Sequence, residues 1–358
     1  MSVKNKYSKM KIFHYMEKIK SLPAENSLIK PPIHIRIKPT NVCAHHCWYC
    51  SYRADNLQLG KDMNLREYIP KEKMLELIND LDELEVKAVT FSGGGDPLYY
   101  KYIIETLEQL SKTNIKVALL TNGSPLKGRV AKLLAEYASW IRISIDGWDD
   151  ESYAEYRGIK IGEHSKVITN LKNFVRLNGN CFVGISLIVD KKNASHIYEM
   201  IKLYKEIGVS SVKVSPCIVS DVGVENNLYH KEIYSTVKSL IQKSKNDFEE
   251  LDFEIFDAYH ELDEKFKKDY SWCPYLQILP IIGADLNVYA CHDKAYNLGN
   301  GVLGSIKDKS FKEFWMNDKD KFFNINPSVD CVHHCCANNN NKLLIDYLEL
   351  DQEHLEFV

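Results

Sequence analysis

A chain of 358 residues, 45% hydrophobic and 27% charged, has the make-up of an ordinary soluble globular protein, and its length calls for a catalytic domain plus an appendage. A formal net charge of −3 offers no basic field for nucleic acid, which argues against that partner. No apolar run reaches the ~20 residues needed to cross a bilayer, and no secretion signal opens the chain, so the expectation is a cytoplasmic protein with no membrane partner.

In chain order, residues 1–22 are Lys-rich, with Ile12, Phe13, Met16, Ile19 and Leu22 at helical spacing. This predicts an amphipathic helix packed on the main domain, within an N-terminal segment 1–32. Strands are predicted at 33–38, 87–91, 115–120, 140–145, 182–189 and 211–215, with helices at 71–84, 101–112, 127–138, 164–178 and 195–207. This βαβα rhythm calls for a parallel sheet with right-handed crossovers. Six units suit an incomplete barrel, so the expected class is α/β, a partial (β/α)6 parallel barrel spanning 33–265. A helix at 228–247 and a strand at 252–256 follow. In a cysteine-rich unit at 266–358, residues 276–290 predict a hairpin turning near Gly283–Asn287, with short helices at 310–323 and 341–350.

Several strands end in polar or glycine-rich residues: Ser92–Pro97, Thr121–Gly123, Asp146–Gly147 and Ser215–Cys217. In parallel α/β folds the C-terminal strand ends carry the site, so these groups should converge on one mouth.

Cysteine placement carries the chemistry. Of ten cysteines, three sit at 43, 47 and 50, five at 273, 291, 331, 335 and 336, and Cys181 and Cys217 stand alone. Clustering in a chain without a secretion signal points to metal rather than disulfides. Cys43, Cys47 and Cys50, on a loop after a strand, can hold three irons of a cubane and leave the fourth open. A zinc site with His45 or His46 is the alternative.

The CX3CX2C run with Tyr49 before the last cysteine resembles the signature of the radical S-adenosylmethionine (SAM) superfamily. That resemblance implies a [4Fe–4S] cluster that reductively cleaves SAM to a 5′-deoxyadenosyl radical, which abstracts hydrogen from substrate. It also implies cofactor contacts. Ser92, Gly93, Gly94, Gly95 and Asp96 resemble the glycine-rich motif after the second strand, although the usual form is Gly-Gly-Glu-Pro. Asn122, Ser144 and Asp146 resemble the next strand ends, Ser186 is in register to face the site, and Tyr49 is placed to lean on adenine.

Cys273, Cys291, Cys331 and Cys335, with Cys336 able to replace Cys335, provide four ligands for a second [4Fe–4S] cluster. Zinc with His333 or His334 competes. The pattern is similar to the SPASM/twitch extension of the same superfamily, in its short form with one auxiliary cluster. An auxiliary cluster implies net oxidation of a C–H, such as a dehydrogenation, which needs a base; His292 and Asp293, beside Cys291, are candidates, or else partners of the ligands. Cys217 at the mouth, or Cys336, offers hydrogen-atom donation and hence an epimerase.

With about 30 residues before the first strand, the expectation is a small polar substrate such as a sugar, aminosugar or nucleotide-linked sugar, rather than a peptide held by a leader-binding domain. Lys160, Arg157, Arg142 and Lys213 are candidates for its phosphate or carboxylate, with surface solvation as the plainer role of each. A flavodoxin or ferredoxin is the expected reductant. Two non-enzyme alternatives are an iron–sulfur electron carrier and a zinc-binding interaction module.

Overall fold

The computed structural model describes residues 8–23, 25, 27–55, 57, 59–260 and 266–356. Seven parallel strands run in sequence order: β1 (His34–Ile37), β2 (Ala88–Phe91), β3 (Lys116–Thr121), β4 (Ala138–Ser144), β5 (Phe182–Val189), β6 (Ser211–Pro216) and β7 (Glu254–Asp257). Three short strands extend the sheet beyond β1: β8 (Ile281–Ile282), β9 (Asn287–Tyr289) and β10 (Val302–Ser305). The sheet stays open between β7 and β10, which makes it a partial barrel.

Side-chain alternation explains the curl. Ile35, Ile37, Ile141, Ile143, Ile185, Leu187, Val212 and Val214 are fully buried on the outer face, under helices α1 (Met16–Lys20) to α9 (Tyr234–Phe248). Between these lie α2 (Lys71–Glu83), α3 (Ile103–Leu110), α4 (Gly128–Tyr137), α5 (Asp150–Arg157), α6 (Glu163–Arg176), α7 (Ile197–Ile207) and α8 (Gly223–His230). The intervening residues Arg36, Arg142, Ser144, Ser186 and Lys213 face the lumen and are only half-buried. The hydrophobic core therefore sits between strands and helices, and the barrel interior is polar.

The six predicted strands and the added one at 252–256 form within two residues of their expected ends. Four features differ from expectation. The N-terminal amphipathic stretch is no continuous helix: a 3₁₀ turn Lys9–His14 precedes the short α1, with Tyr15 between them outside helical geometry. Its residues 1–7 lie outside the described residues. Ile19 and Leu22 pack with Ile278 and Leu344 of the C-terminal segment, so burial there, not helix propensity, fixes the stretch. The helix expected at 228–247 is two, α8 and α9, separated at 231–233.

Helix α5 was not anticipated, although Asp149 and Ser152 form a capping box and Gly158 ends it at φ +56. The hairpin forms, but β8 pairs in parallel with β1 (Arg36↔Ile281, Ile37↔Ile282) and β10 pairs with β9. The C-terminal segment thus continues the barrel sheet. The expected boundary at 265 falls in 261–265, outside the described residues. No described helix is long and apolar enough to cross a membrane.

Candidate active site

A cavity of about 330 Å3 opens at the C-terminal ends of the strands. Its lining contains Cys43, Cys47 and Cys50 from the loop after β1, Ser92 to Asp96 after β2, Asn122 after β3, and Ser144 on β4. Tyr49, Cys217 and His292 line it as well. Asp146, Ser186 and Asp293 do not line this cavity.

The cysteine loop is held from two sides. Backbone bonds join it to the glycine-rich loop: Gly95 N to Thr40 O, 3.1 Å, and Asp96 N to Val42 O, 2.9 Å. A Cβ on Gly94 would overlap the Asn41 side chain, and one on Gly95 the Val42 carbonyl. The glycines are thus required by contact with the cysteine loop itself. On the other side, the unpaired C-terminal carbonyls of α5 accept from the loop: His46 N to Arg157 O, 2.7 Å, and Trp48 N to Tyr156 O, 3.4 Å.

Asp96 organises the next strand end. Its carboxylate accepts from Leu98 N (2.9 Å), Asn122 N (2.6 Å) and the Thr121 hydroxyl. This leaves Asn122 Nδ2 3.7 Å from Cys43 Sγ. Asp146 is fully buried; it pairs with Arg157 at 2.5 Å and accepts from the Tyr49 hydroxyl and from Ile188 N at 2.8 Å. Its carboxylate is committed to protein groups. Arg157, read from sequence as a solvated cation or an anion ligand, is 4% exposed, and its second guanidinium nitrogen stands 3.6 Å from Cys47 Sγ. Lys160 is exposed.

Burial pushes the Cys43 thiol up to about 11 and raises Cys50 also. A metal here must therefore displace protons from the thiols. The donor set fits an iron–sulfur cluster: three thiols at one mouth, with the buried Ser92 Oγ in the cavity wall lacking a hydrogen-bond partner among the described residues. His45 is engaged through Nε2 with Ser124 Oγ, and His46 through Nδ1 with Arg53, so both histidines of the zinc alternative have other partners.

The C-terminal cysteines form a second group. Burial raises Cys273, Cys291 and Cys335, and lifts Cys331 to about 11. The charges of Cys273, Cys331 and Cys335 all act on Cys291, so the four lie within electrostatic reach of one another, although no three of their sulfurs come within 4.8 Å. Asn341 Nδ2 donates to Cys273 Sγ at 3.2 Å. The Cys336 thiol turns instead to Asp293 Oδ1, 3.4 Å away, and its amide donates to Oδ2 at 3.0 Å. Ligand atoms of Cys291, Asp293 and His333 also lie within 4.8 Å of one another, the geometry a zinc reading would use. Cys181, one residue before β5, packs against the core.

Sequence reasoning missed the residue that joins the two groups. Lys38, fully buried one residue past β1, donates to the Tyr52 hydroxyl and the Gly93 carbonyl, and stands 3.5 Å from His292 Nδ1. Its only sequence signal is the alternation His34, Arg36, Lys38, which puts three basic residues on the lumen face of one strand.

An open parallel barrel with a three-cysteine loop at its mouth defines a metal-dependent enzyme of the α/β class, built to hold an iron–sulfur cluster beside a small cavity. Residues 37–204 form a radical SAM domain, matching the sequence pattern of the radical SAM superfamily. Members of that family use a [4Fe–4S] cluster and SAM. An uncharacterized protein of Methanocaldococcus jannaschii is 27% identical over 184 residues, covering 50% of this chain and 60% of that protein. A probable GTP 3′,8-cyclase of the same organism is 29% identical over 142 residues, covering 39% and 45%. The chain thus spans about half the length of the curated relatives it matches. Among solved structures, Streptococcus suis SuiB bound to SAM aligns with a TM-score of 0.61 at 16% identity, over 86% of this chain and 70% of that one. At that identity the likeness is one of fold.

Proposed function

We propose that this radical SAM enzyme oxidises a small polar substrate, a sugar, aminosugar or nucleotide-linked sugar, with Cys273, Cys291, Cys331 and Cys335 holding one auxiliary [4Fe–4S] cluster in a SPASM/twitch-like unit. One observation carries the reading: His292, next to Cys291 in sequence, lines the same cavity as Cys43, Cys47 and Cys50. A substrate there lies between two iron–sulfur sites, the arrangement a net oxidation uses. When bound, the clusters and SAM supply one-electron transfer and hydrogen-atom abstraction.

The chain's own residues do the rest. Asn122 and Arg157 stand at the Sγ atoms of Cys43 and Cys47 and fix the loop. Ser92 and Ser144 offer hydroxyls to the bound cofactor. Burial and the neighbouring Lys38 and Arg36 charges hold the His292 imidazole well below its usual range, which favours the neutral form, the form with a lone pair for a substrate proton, at the cost of a weaker base. The reductant is a flavodoxin or ferredoxin. Anaerobic reconstitution tests the reading. Roughly eight irons per chain, with 5′-deoxyadenosine formed under reduction, are expected; zinc in place of iron, or no cleavage, would sink it.

Cys217 favours a second reading. It lines the cavity at 1% exposure, and burial raises its thiol, so the S–H stays protonated. A protonated thiol facing a substrate radical can return a hydrogen atom, giving epimerisation. Solvent deuterium incorporated into product, and lost in Cys217→Ala, separates this from oxidation.

A further inference from the structure

We propose that Lys268 and Lys294 are positioning residues of the auxiliary site: their ammonium groups hold the loop that carries Cys331 and Cys335 and raise the reduction potential of the cluster bound there. This rests on the reading above that Cys273, Cys291, Cys331 and Cys335 hold a [4Fe–4S] cluster.

Both lysines bury a charge. Lys294 is fully buried and Lys268 is 7% exposed. A buried ammonium group is costly unless an anion stands near it. Neither lysine forms an ion pair among the described residues, and their hydrogen bonds go to neutral oxygens. Lys294 Nζ donates to Asn300 Oδ1 at 2.8 Å and to the Asp330 carbonyl at 2.5 Å. Lys268 Nζ donates to the Phe266 carbonyl at 2.8 Å and to the His333 carbonyl.

Two of those carbonyls belong to one loop. Asp330 precedes Cys331, and His333 lies between Cys331 and Cys335. The ammonium groups arrive from separate segments and both bind the backbone that carries two of the four thiols. The carboxylates of that region have other partners. Asp330 Oδ2 accepts from Asn326 N at 2.7 Å, and Asp293 accepts from the amide and thiol of Cys336.

Deprotonated thiols supply the missing anion. Burial pulls Lys268 below its usual range, and the charges of Cys335 and Cys331, more than that of Asp293, push it back up. Four thiolates around a [4Fe–4S] core leave a net negative charge, which grows when the cluster takes an electron. Cations beside it stabilise the reduced form more than the oxidised form, so the potential rises. The zinc set Cys291, Asp293 and His333 is neutral with a divalent ion bound and would leave both lysines uncompensated.

Asn341, 1% exposed, acts in the same sense. The Tyr275 amide donates to its Oδ1 at 3.0 Å, which fixes the side-chain amide with Nδ2 toward Cys273 Sγ at 3.2 Å. An N–H donated to a ligand sulfur also favours the more negative, reduced state. A raised potential suits the oxidation proposed above. A substrate that has lost a hydrogen atom to the 5′-deoxyadenosyl radical and a proton to a base gives up one electron to the auxiliary site.

Potentiometry of reconstituted holoprotein, read by electron paramagnetic resonance, tests this. The reduced-cluster signal that SAM leaves unchanged belongs to the auxiliary site. Lys268→Met and Lys294→Met should each shift its reduction equilibrium about tenfold toward the oxidised form, about 59 mV lower for one electron, with roughly eight irons per chain retained. Asn341→Leu should move it the same way by less. Lys267→Met, which removes an exposed cation next to Lys268, should leave it in place. Midpoints unmoved or raised in the variants that keep their iron would overturn the assignment. So would loss of the auxiliary iron from all three, which would make these side chains structural props alone. Roughly four irons in the unaltered protein would overturn the cluster reading itself, and this role with it.

Discussion

His292 Nδ1 lies 3.0 Å from the Tyr52 hydroxyl, and this pair ties the segment after Cys291 to the loop after Cys50. Lys38 braces both from beneath. If His292 takes the substrate proton, His292→Gln should lower turnover by about 10²-fold while 5′-deoxyadenosine still forms. The measurement is product per 5′-deoxyadenosine released; an unchanged ratio would move the base elsewhere.

The Arg157–Asp146 pair is buried at both ends. Asp146→Ala leaves a guanidinium without its carboxylate in the core and should destabilise the fold by about 3–5 kcal/mol in denaturant unfolding. Adding Arg157→Met should restore part of that loss, because the residual cost lies in the orphaned charge. No recovery would mean that Asp146 acts chiefly through Tyr49 and Ile188 N.

Gly95→Ala should cost iron before it costs the fold. Its Cβ would push against the Val42 carbonyl, one residue before Cys43. Reconstituted iron should fall by roughly four per chain, the content of one [4Fe–4S] cluster, with far-UV circular dichroism preserved. Full iron content would show that the loop yields without disturbing the thiols.

The two ends of the C-terminal group should behave differently. Cys291→Ala is expected to lose roughly four irons per chain and Cys336→Ala none, because the Cys336 thiol is turned to Asp293. Iron analysis of both variants decides the ligand set, and loss of iron from the Cys336 variant would exchange it for Cys335.

Stability should fall with acid in a defined window. Burial lowers His34, His45 and His333 to about 3. As pH drops below 6.5 the unfolded chain takes up protons that the folded chain refuses, so each site contributes stability at pH 7.5 that is lost progressively toward pH 3. The loss by pH 5 is on the order of 2 kcal/mol per histidine. Denaturant unfolding at pH 7.5 and pH 5 measures it; equal stability would mean that these rings protonate inside the fold.

The sequence by itself determined the strand order, the cysteine spacing and the mouth where the strand ends meet. Period-two alternation and CX3CX2C are local patterns, and local patterns survive folding. Ser92, Asn122, Ser144 and Cys217, expected near strand ends, line one cavity, because a parallel barrel gathers those ends at one side. Only the tertiary structure decided what each polar group touches. Asp146 and Arg157 are 11 residues apart and neutralise each other in the core. Lys38 meets His292 across 254 residues, and β8 joins β1 across the whole barrel. Pairing at such separations is set by packing and charge compensation in three dimensions, which no short stretch of chain encodes.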